Sequence, residues 1–238
     1  MMRTGILIGV AVAGAGLLAL TAAGREVEDA KENGTVATRK QRFWSRVESI
    51  GELDNTQRYF LTLVAQRESR YNTAAHNGSA SERDAARRGL ENNPSLRQRA
   101  LACGVSAESL SSGSWGLFQR LAPFWADDMF DIFGAGACPF VDPSRQTANM
   151  NLQIVSAIKT ARTLQQYSGW KAFPTAGNLR LGWASPGLMG YISDNAERLR
   201  NYRNDAAAAG LPASLVDGPI REFPSDYRGI YARLGGAG

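Results

Sequence analysis

Glu68 is the residue of this sequence best placed to do acid–base chemistry. Asp54 can cap a helix through NTQRYFLTLVAQRE, on which Phe60, Val64 and Glu68 follow one another at spacings of four. The carboxyl therefore shares a face with apolar side chains, close to the negative end of the helix dipole, and both effects favour the protonated acid. General acid catalysis near neutral pH requires such a group. The neighbouring arginines leave a plain surface ion pair open as the alternative.

A second notable stretch is GSWGLFQ, which runs from Gly113 to Gln119. Gly113 and Gly116 permit a tight turn and a close approach of the backbone to another group. Leu117 and Phe118 suit either the core or the wall of a groove. The stretch predicts a turn that packs tightly against the rest of the domain.

The order of these motifs resembles that of the lytic transglycosylase SLT domain, which belongs to the goose-type lysozyme-like superfamily. In that family Glu-Ser-x-Phe/Tyr is followed by Gly-x-x-Gly-Leu-Met-Gln, by Asp-Pro before an Asn-led helix, and by Ala-Tyr-Asn-x-Gly. Here ESRYN at Glu68–Asn72 matches the first motif, and GSWGLFQ matches the second with Phe118 in place of Met. Asp142-Pro143 precedes a predicted long helix, and the likeness covers roughly residues 56–202.

The resemblance implies cleavage of the β-1,4 bond between N-acetylmuramic acid and N-acetylglucosamine in peptidoglycan. Glu68 would first protonate the leaving oxygen and then accept the proton of the muramic C6 hydroxyl, which closes a 1,6-anhydro ring. The chemistry implies no metal and no organic cofactor. The substrate-binding candidates are Ser69, Ser114, Gly116, Leu117, Phe118, Gln119 and Tyr191. Turn formation, capping and core packing are the alternative roles of these side chains.

The last motif departs from the family pattern. It aligns as LGWASPG, which places Gly182 and Trp183 at the positions of the family Tyr and Asn. The family Tyr helps to hold the catalytic carboxyl, so we expect either that another hydroxyl, that of Tyr191 or Tyr71, takes over that task or that such a hydroxyl is missing.

Two alternatives to the lytic transglycosylase follow from these departures. One is a goose-type-like hydrolytic muramidase, in which one of Asp127, Asp128 and Asp131 activates a water molecule. The other is a catalytically inactive peptidoglycan-binding structural subunit of an envelope or phage machine, suggested by the missing Tyr-Asn pair.

The N-terminal segment predicts the compartment. Residues 5–24 carry no charge, so residues 1–24 are a transmembrane anchor or a signal segment, and their length favours an anchor that inserts into the membrane. Residues 25–41 are polar and predict a tether. The expected location is the periplasmic side of a bacterial envelope, anchored in the inner membrane, within a secretion or conjugation apparatus; the alternative is a phage virion.

The remaining sequence predicts a mainly α fold, a lysozyme-like helical domain behind the N-terminal hydrophobic helix. We assign residues 42–205 to this catalytic domain, with an insertion at about 77–111 that could form a lid or a partner surface, and residues 206–238 to a C-terminal extension. With 44% hydrophobic and 21% charged residues the chain can bury one substantial core, and no alternating strand pattern is sustained. The net charge of +5 suits an anionic glycan, whereas no basic stretch interleaved with aromatic residues indicates nucleic-acid binding.

Cys103 and Cys138 are the only cysteines. An exported chain favours a disulfide between them, with two free buried thiols as the alternative. Since His76 is the only histidine, we expect no zinc site.

Overall fold

The computed structural model describes residues 34–236, and this part of the chain is mainly helical, with 63% of it in helices and 4% in strands. The α-helices are α1 (Val36–Glu48), α2 (Asn55–Ser69), α3 (Ala80–Glu91), α4 (Pro94–Ala102), α5 (Ala107–Leu110), α6 (Ala122–Phe133), α7 (Met150–Leu164), α8 (Ser168–Ala172), α9 (Ala176–Ala184), α10 (Ala196–Ala208) and α11 (Tyr227–Arg233). The strands are β1 (His76–Asn77), β2 (Ser114–Trp115) and β3 (Arg120–Leu121), which form one antiparallel sheet in the order β1-β2-β3. The mainly α prediction is thus confirmed.

The predicted N-terminal hydrophobic helix lies outside the described residues. Among residues 34–236, none of the helices combines the length and the apolar character needed to cross a membrane. The predicted tether is partly described and is shorter than expected, because α1 already begins at Val36. The side chain of Thr35 caps this helix by accepting a hydrogen bond from the N–H of Thr38. Phe43 and Val47 then bury one face of α1 in the core.

Helix α2 begins at a capping box. The carboxylate of Asp54 accepts from the N–H of Gln57 at 2.9 Å, and the amide oxygen of Gln57 accepts from the N–H of Asp54 at 2.9 Å. The helix ends at Ser69 because Arg70 and Tyr71 have φ angles of 52° and 61°, in the left-handed region. These two signals set the ends of α2 and place Glu68 in its last turn.

Helix α7 is the centre of the core. The side chain of Asn149 caps it by accepting from the N–H of Leu152 at 2.9 Å, four residues after the short 3-10 turn Pro143–Arg145. Almost every residue of α7 is buried, including Ile154 and Ile158 at 0% exposure. The helix is buried around most of its circumference, because other elements cover it on several sides.

The segment 77–111 packs as a wall of the domain. It forms α3, α4 and α5, which all contact α6. A short turn separates α3 from α4, and the side chain of Asn93 caps α4. The buried side chains Leu90, Leu96 and Leu110 belong to the same core as α7. A disulfide between Cys103 and Cys138, with Cα atoms 5.0 Å apart, joins the end of α4 to the segment that follows α6.

The C-terminal segment is also part of the core. The predicted boundary between residues 205 and 206 falls inside α10, and α11 contacts α7. Phe223 and Ile230 are buried at 1% and 0% exposure. The side-chain amide of Gln57 donates to the carbonyl of Glu222 at 2.9 Å, which ties this segment to α2. The predicted extension is therefore integrated into the fold.

Candidate functional site

Glu68 lies in the last turn of α2 and is paired with a buried arginine. Nη2 of Arg180, on α9, donates to Oε1 of Glu68 at 2.6 Å. The side chain of Glu68 is 26% exposed, while that of Arg180 is 5% exposed. The expected apolar stripe is present, because Phe60 and Val64 are fully buried on the same helix. The direct neighbour of the carboxyl, however, is a cation, which corrects the sequence-based picture of an acid surrounded mainly by apolar groups.

The guanidinium of Arg180 has few other partners. It stacks over the ring of Tyr202, with its carbon 4.9 Å from the ring centroid. Nε and Nη1 are buried without a hydrogen-bond partner in the described part of the chain. Buried donors are usually satisfied, so this arginine is an exception that needs an explanation.

The two tyrosines expected to hold Glu68 are engaged elsewhere. The hydroxyl of Tyr71 donates to the carbonyl of Thr62 at 3.3 Å, and burial raises the pKa of Tyr71 well above its usual value. The side chain of Tyr191 is 59% exposed, and its hydroxyl makes no hydrogen bond to Glu68. The expectation for Tyr71 and Tyr191 is thus wrong, because α9 presents Arg180 instead. The one available signal in the sequence was a cationic residue between two leucines, Leu179 and Leu181.

The structure joins the second motif to the segment that follows the first. The N–H of Gly116 donates to the carbonyl of Ala75 at 2.7 Å, and the amide of Gln119 donates to the same carbonyl at 3.3 Å. Gln153, on α7, joins both segments, because its Oε1 accepts from the N–H of Leu117 at 2.7 Å and its Nε2 donates to the carbonyl of Thr73 at 3.1 Å. The chain just after Glu68 is therefore fastened to the glycine turn.

Several predicted substrate-binding residues have structural roles. The hydroxyl of Ser69 donates to the carbonyl of Ala65 at 3.1 Å, and that of the buried Ser114 donates to Oε1 of Gln119 at 3.2 Å. Leu117 is fully buried, and a Cβ on Gly116 would lie 2.5 Å from Oε1 of Gln153. These contacts favour the packing and capping roles.

Phe118 and Gln119, in contrast, line a groove of about 460 Å³ between α6, α7 and the end of α9. Its other lining residues include Arg120, Phe124, Asp127, Lys159, Tyr167 and Trp183. Phe124 and Tyr167 are 43% and 48% exposed, an arrangement in which aromatic faces are available to stack on a ligand. Glu68 does not line this groove, and Tyr191 lines a neighbouring, more open depression together with Tyr167 and Pro186.

Of the three aspartates considered as a base, only Asp127 lines the groove. Partial burial raises its pKa, as do the negative charges of Asp131 and Asp128, against the opposing effect of Lys159 and Arg120. An acid of this kind is suited to exchange protons nearer to neutral pH than a solvated aspartate.

Asp128 is fully buried under the groove in an ion-pair network. It accepts from Nε and Nη2 of Arg120 at 2.9 and 3.2 Å, from Nζ of Lys159 at 2.9 Å and from the hydroxyl of Ser156 at 2.6 Å. Burial opposes ionisation, but the two cations and these hydrogen bonds outweigh it and lower the pKa of Asp128. Asp131 is half exposed and pairs with Lys159 at 2.8 Å. Both residues therefore have structural partners.

Among residues 34–236 no group of three or more His, Cys, Asp or Glu side chains is arranged to hold a metal ion. Comparisons with protein-family models, with curated proteins and with solved structures found no match to the chain. The likeness to lytic transglycosylases thus stays a prediction that rests on the sequence motifs.

Proposed function

We propose that this protein is a peptidoglycan lytic transglycosylase that uses Glu68 as general acid and then as general base. One observation carries the proposal: the segment that follows Glu68 is hydrogen-bonded to the Gly113–Gln119 turn through Ala75. The segment next to the first motif is thus joined in space to the second motif, although 44 residues separate Ala75 from Gln119. The partial exposure of Glu68 lets a ligand reach the carboxyl.

The two oxygens of Glu68 have different surroundings. Oε1 is held by Arg180, whereas Oε2 has no hydrogen-bond partner within the described part of the chain. Oε2 is therefore the oxygen able to carry the proton. In the first step this proton passes to the glycosidic oxygen as the bond to the muramic C1 breaks and an oxocarbenium-like centre develops. In the second step the carboxylate accepts the proton of the C6 hydroxyl, whose oxygen bonds to C1, and the acid is regenerated.

The groove supplies a place for further sugars of the strand. Gln119 lines it and also binds the carbonyl of Ala75, so it connects the groove to the segment that follows Glu68. A glycan strand is long, and rings outside the cleaved bond can lie against Phe124 and Tyr167. Attachment to a membrane through residues 5–24, and a place in an envelope or phage assembly, remain predictions of the sequence.

A hydrolytic muramidase is the second candidate, favoured by Asp127. This carboxyl lines the groove and has a raised pKa, so it is the described aspartate best suited to take a proton from a water molecule. In this reaction the water attacks C1 and the product has a reducing end rather than an anhydro ring.

The test is digestion of purified peptidoglycan by the full-length protein, followed by mass analysis of the soluble products. We expect 1,6-anhydro ends, and reducing ends would instead support hydrolysis. Glu68→Gln should lower the cleavage rate by about 100-fold or more, the usual contribution of a general acid. Glu197→Gln, an exposed position on α10, serves as the matched control and should retain the wild-type rate. Absence of cleavage by the wild-type protein, or full activity of Glu68→Gln, would refute the proposal.

A further inference from the structure

We infer that Arg180 is the positioning residue of Glu68, and that it stabilises the charge which develops on the carboxyl during glycan cleavage. This inference rests on the proposed function. It assigns to Arg180, from α9, the task that the related motif gives to a tyrosine two positions further along the helix.

The first argument is the asymmetry of the pair. Arg180 lies on the buried side and binds only Oε1 of Glu68, through a single N–H group. A structural arginine–carboxylate pair gains most from two parallel hydrogen bonds. The single bond fixes the orientation of the carboxyl but leaves Oε2 without a partner in the described residues. This is the arrangement that proton transfer through Oε2 needs.

The second argument is the cost of placing this cation inside the fold. Its neighbours on α9, Leu179 and Leu181, are both fully buried, and two of the guanidinium nitrogens of Arg180, Nε and Nη1, have no hydrogen-bond partner in the described chain. Replacement of a buried ion pair by apolar side chains is often neutral or stabilising. Stability alone therefore does not explain an arginine at this position, and a role at Glu68 does.

The third argument is that α9 holds the guanidinium in place before a ligand binds. The amide of Asn178 donates to the carbonyls of Gly169 and Phe173, both at 2.8 Å, and its oxygen accepts from the N–H of Gly190 at 2.9 Å. The ring of Tyr202 supports the guanidinium from α10. A fixed cation requires no reorganisation when Glu68 loses its proton, which is how preorganised charges lower a barrier.

The chemical consequence concerns both half-reactions. As the proton leaves Oε2 for the glycosidic oxygen, negative charge develops on Glu68 beside a cation that is already in place. The same contact keeps the carboxylate oriented until it accepts the proton of the C6 hydroxyl. Loss of Arg180 should therefore slow the chemical steps and leave the binding of the strand nearly unchanged.

The test compares Arg180→Met and Arg180→Lys in the full-length protein, with soluble glycan strands as substrate. Release of anhydro products at varied substrate concentration gives kcat and KM. We expect Arg180→Met to lower kcat by about 100-fold, as removal of one preorganised donor does elsewhere, with KM within about twofold of the wild-type value. Arg180→Lys, which keeps the charge, should recover most of kcat. Arg67→Met, which removes an exposed arginine from the same end of α2, is the matched control and should retain the wild-type kcat.

Thermal unfolding separates this role from a structural one. Arg180→Met leaves the carboxylate of Glu68 without its cation, which costs stability, but Glu68 is 26% exposed and water can solvate it, so we expect a modest fall in Tm with the variant still folded in the assay. A low kcat accompanied by a large loss of Tm, without recovery in a folded Arg180→Lys variant, would overturn the inference. Should Arg180→Met fail to fold, Arg180→Gln provides the same comparison at similar length. An unchanged kcat in either neutral variant, with Glu68→Gln inactive, would refute the role of Arg180 alone, whereas an active Glu68→Gln would refute the proposed function as well.

Discussion

Asp128→Asn should destabilise the protein more than any single change to its surface ion pairs. The side chain of Asp128 is fully buried and accepts four hydrogen bonds, two from Arg120 and one each from Lys159 and Ser156. Asn keeps the shape but removes the negative charge, and its amide N–H groups face donors. Two cations thus lose a buried counterion.

The loss of stability expected for Asp128→Asn lies near the lower end of the range known for broken buried ion pairs. Removal of one partner from a buried ion pair costs about 3 to 5 kcal/mol. Lys159 retains Asp131 at 2.8 Å, and the side chain of Arg120 is 24% exposed, so neither cation is left wholly without compensation. We therefore expect a loss of about 3 kcal/mol in the free energy of unfolding, which corresponds to a fall of about 6 to 12 °C in Tm for a domain of this size.

The matched control is Asp131→Asn, which removes the exposed partner of the same lysine. Because Asp131 is 54% exposed, the free energy of unfolding should fall by no more than about 1 kcal/mol. Thermal and denaturant unfolding at pH 7 measure both values. Equal losses in the two variants would show that burial does not set the strength of this network.

The pH dependence gives the same prediction a second readout. The pKa of Asp128 is lowered from 3.8 in the folded protein. The contribution of its charge to the free energy of unfolding is therefore fully present above the pKa of the unfolded state and is lost as the pH falls through the pKa of the folded state. The difference in stability between wild type and Asp128→Asn should therefore be largest at neutral pH and should shrink on acidification below about pH 4. A difference that stays constant down to pH 2 would contradict the assignment of an ionised, paired carboxylate.

Two further predictions concern the framework. Replacement of both Cys103 and Cys138 by Ser opens a loop with a sequence separation of 35, so the free energy of unfolding should fall by about 4 kcal/mol, and reductant should then have no further effect on the denaturant midpoint. Gly116→Ala should lower the free energy of unfolding by about 2 kcal/mol, because the φ angle of Gly116 is +78° and the new Cβ would lie 2.5 Å from Oε1 of Gln153. Gly136→Ala, where a Cβ meets nothing within 4 Å, is the control and should be nearly neutral, and similar losses at both glycines would contradict the argument.

Local signals carried most of the secondary structure that could be predicted. The cap at Asp54 and the break before Pro94 are encoded by residues within one turn of the helices they begin. Capping chemistry acts over three or four residues, so a single sequence contains all of it. The predicted bounds of the tether and of the C-terminal extension differ from the structure, because polar composition alone does not show that Phe43 and Phe223 are buried in the core.

The candidate site could be predicted only in part, since its contacts join distant positions. Glu68 and the Gly113–Gln119 turn are visible as motifs, but 112 residues separate Glu68 from Arg180. No local pattern fixes which side chain of α9 faces α2. The groove is likewise a product of packing between α6, α7 and α9, so Asp127 could be named as a candidate but not distinguished from Asp128 or Asp131.

The glycine at the position of the family tyrosine follows from the packing of α9. A Cβ on Gly182 would lie 2.4 Å from the sulfur of Met189, and one on Gly177 would lie 2.6 Å from the carbonyl oxygen of Val216. Even an alanine at residue 182 would force Met189 to move, and a tyrosine would require much more space. This packing leaves no room for a tyrosine at residue 182, whereas Arg180, two residues earlier, reaches Glu68 across the interface with α2. The close contact between α9 and the segment that follows it thus accounts for a glycine where the related motif has a tyrosine.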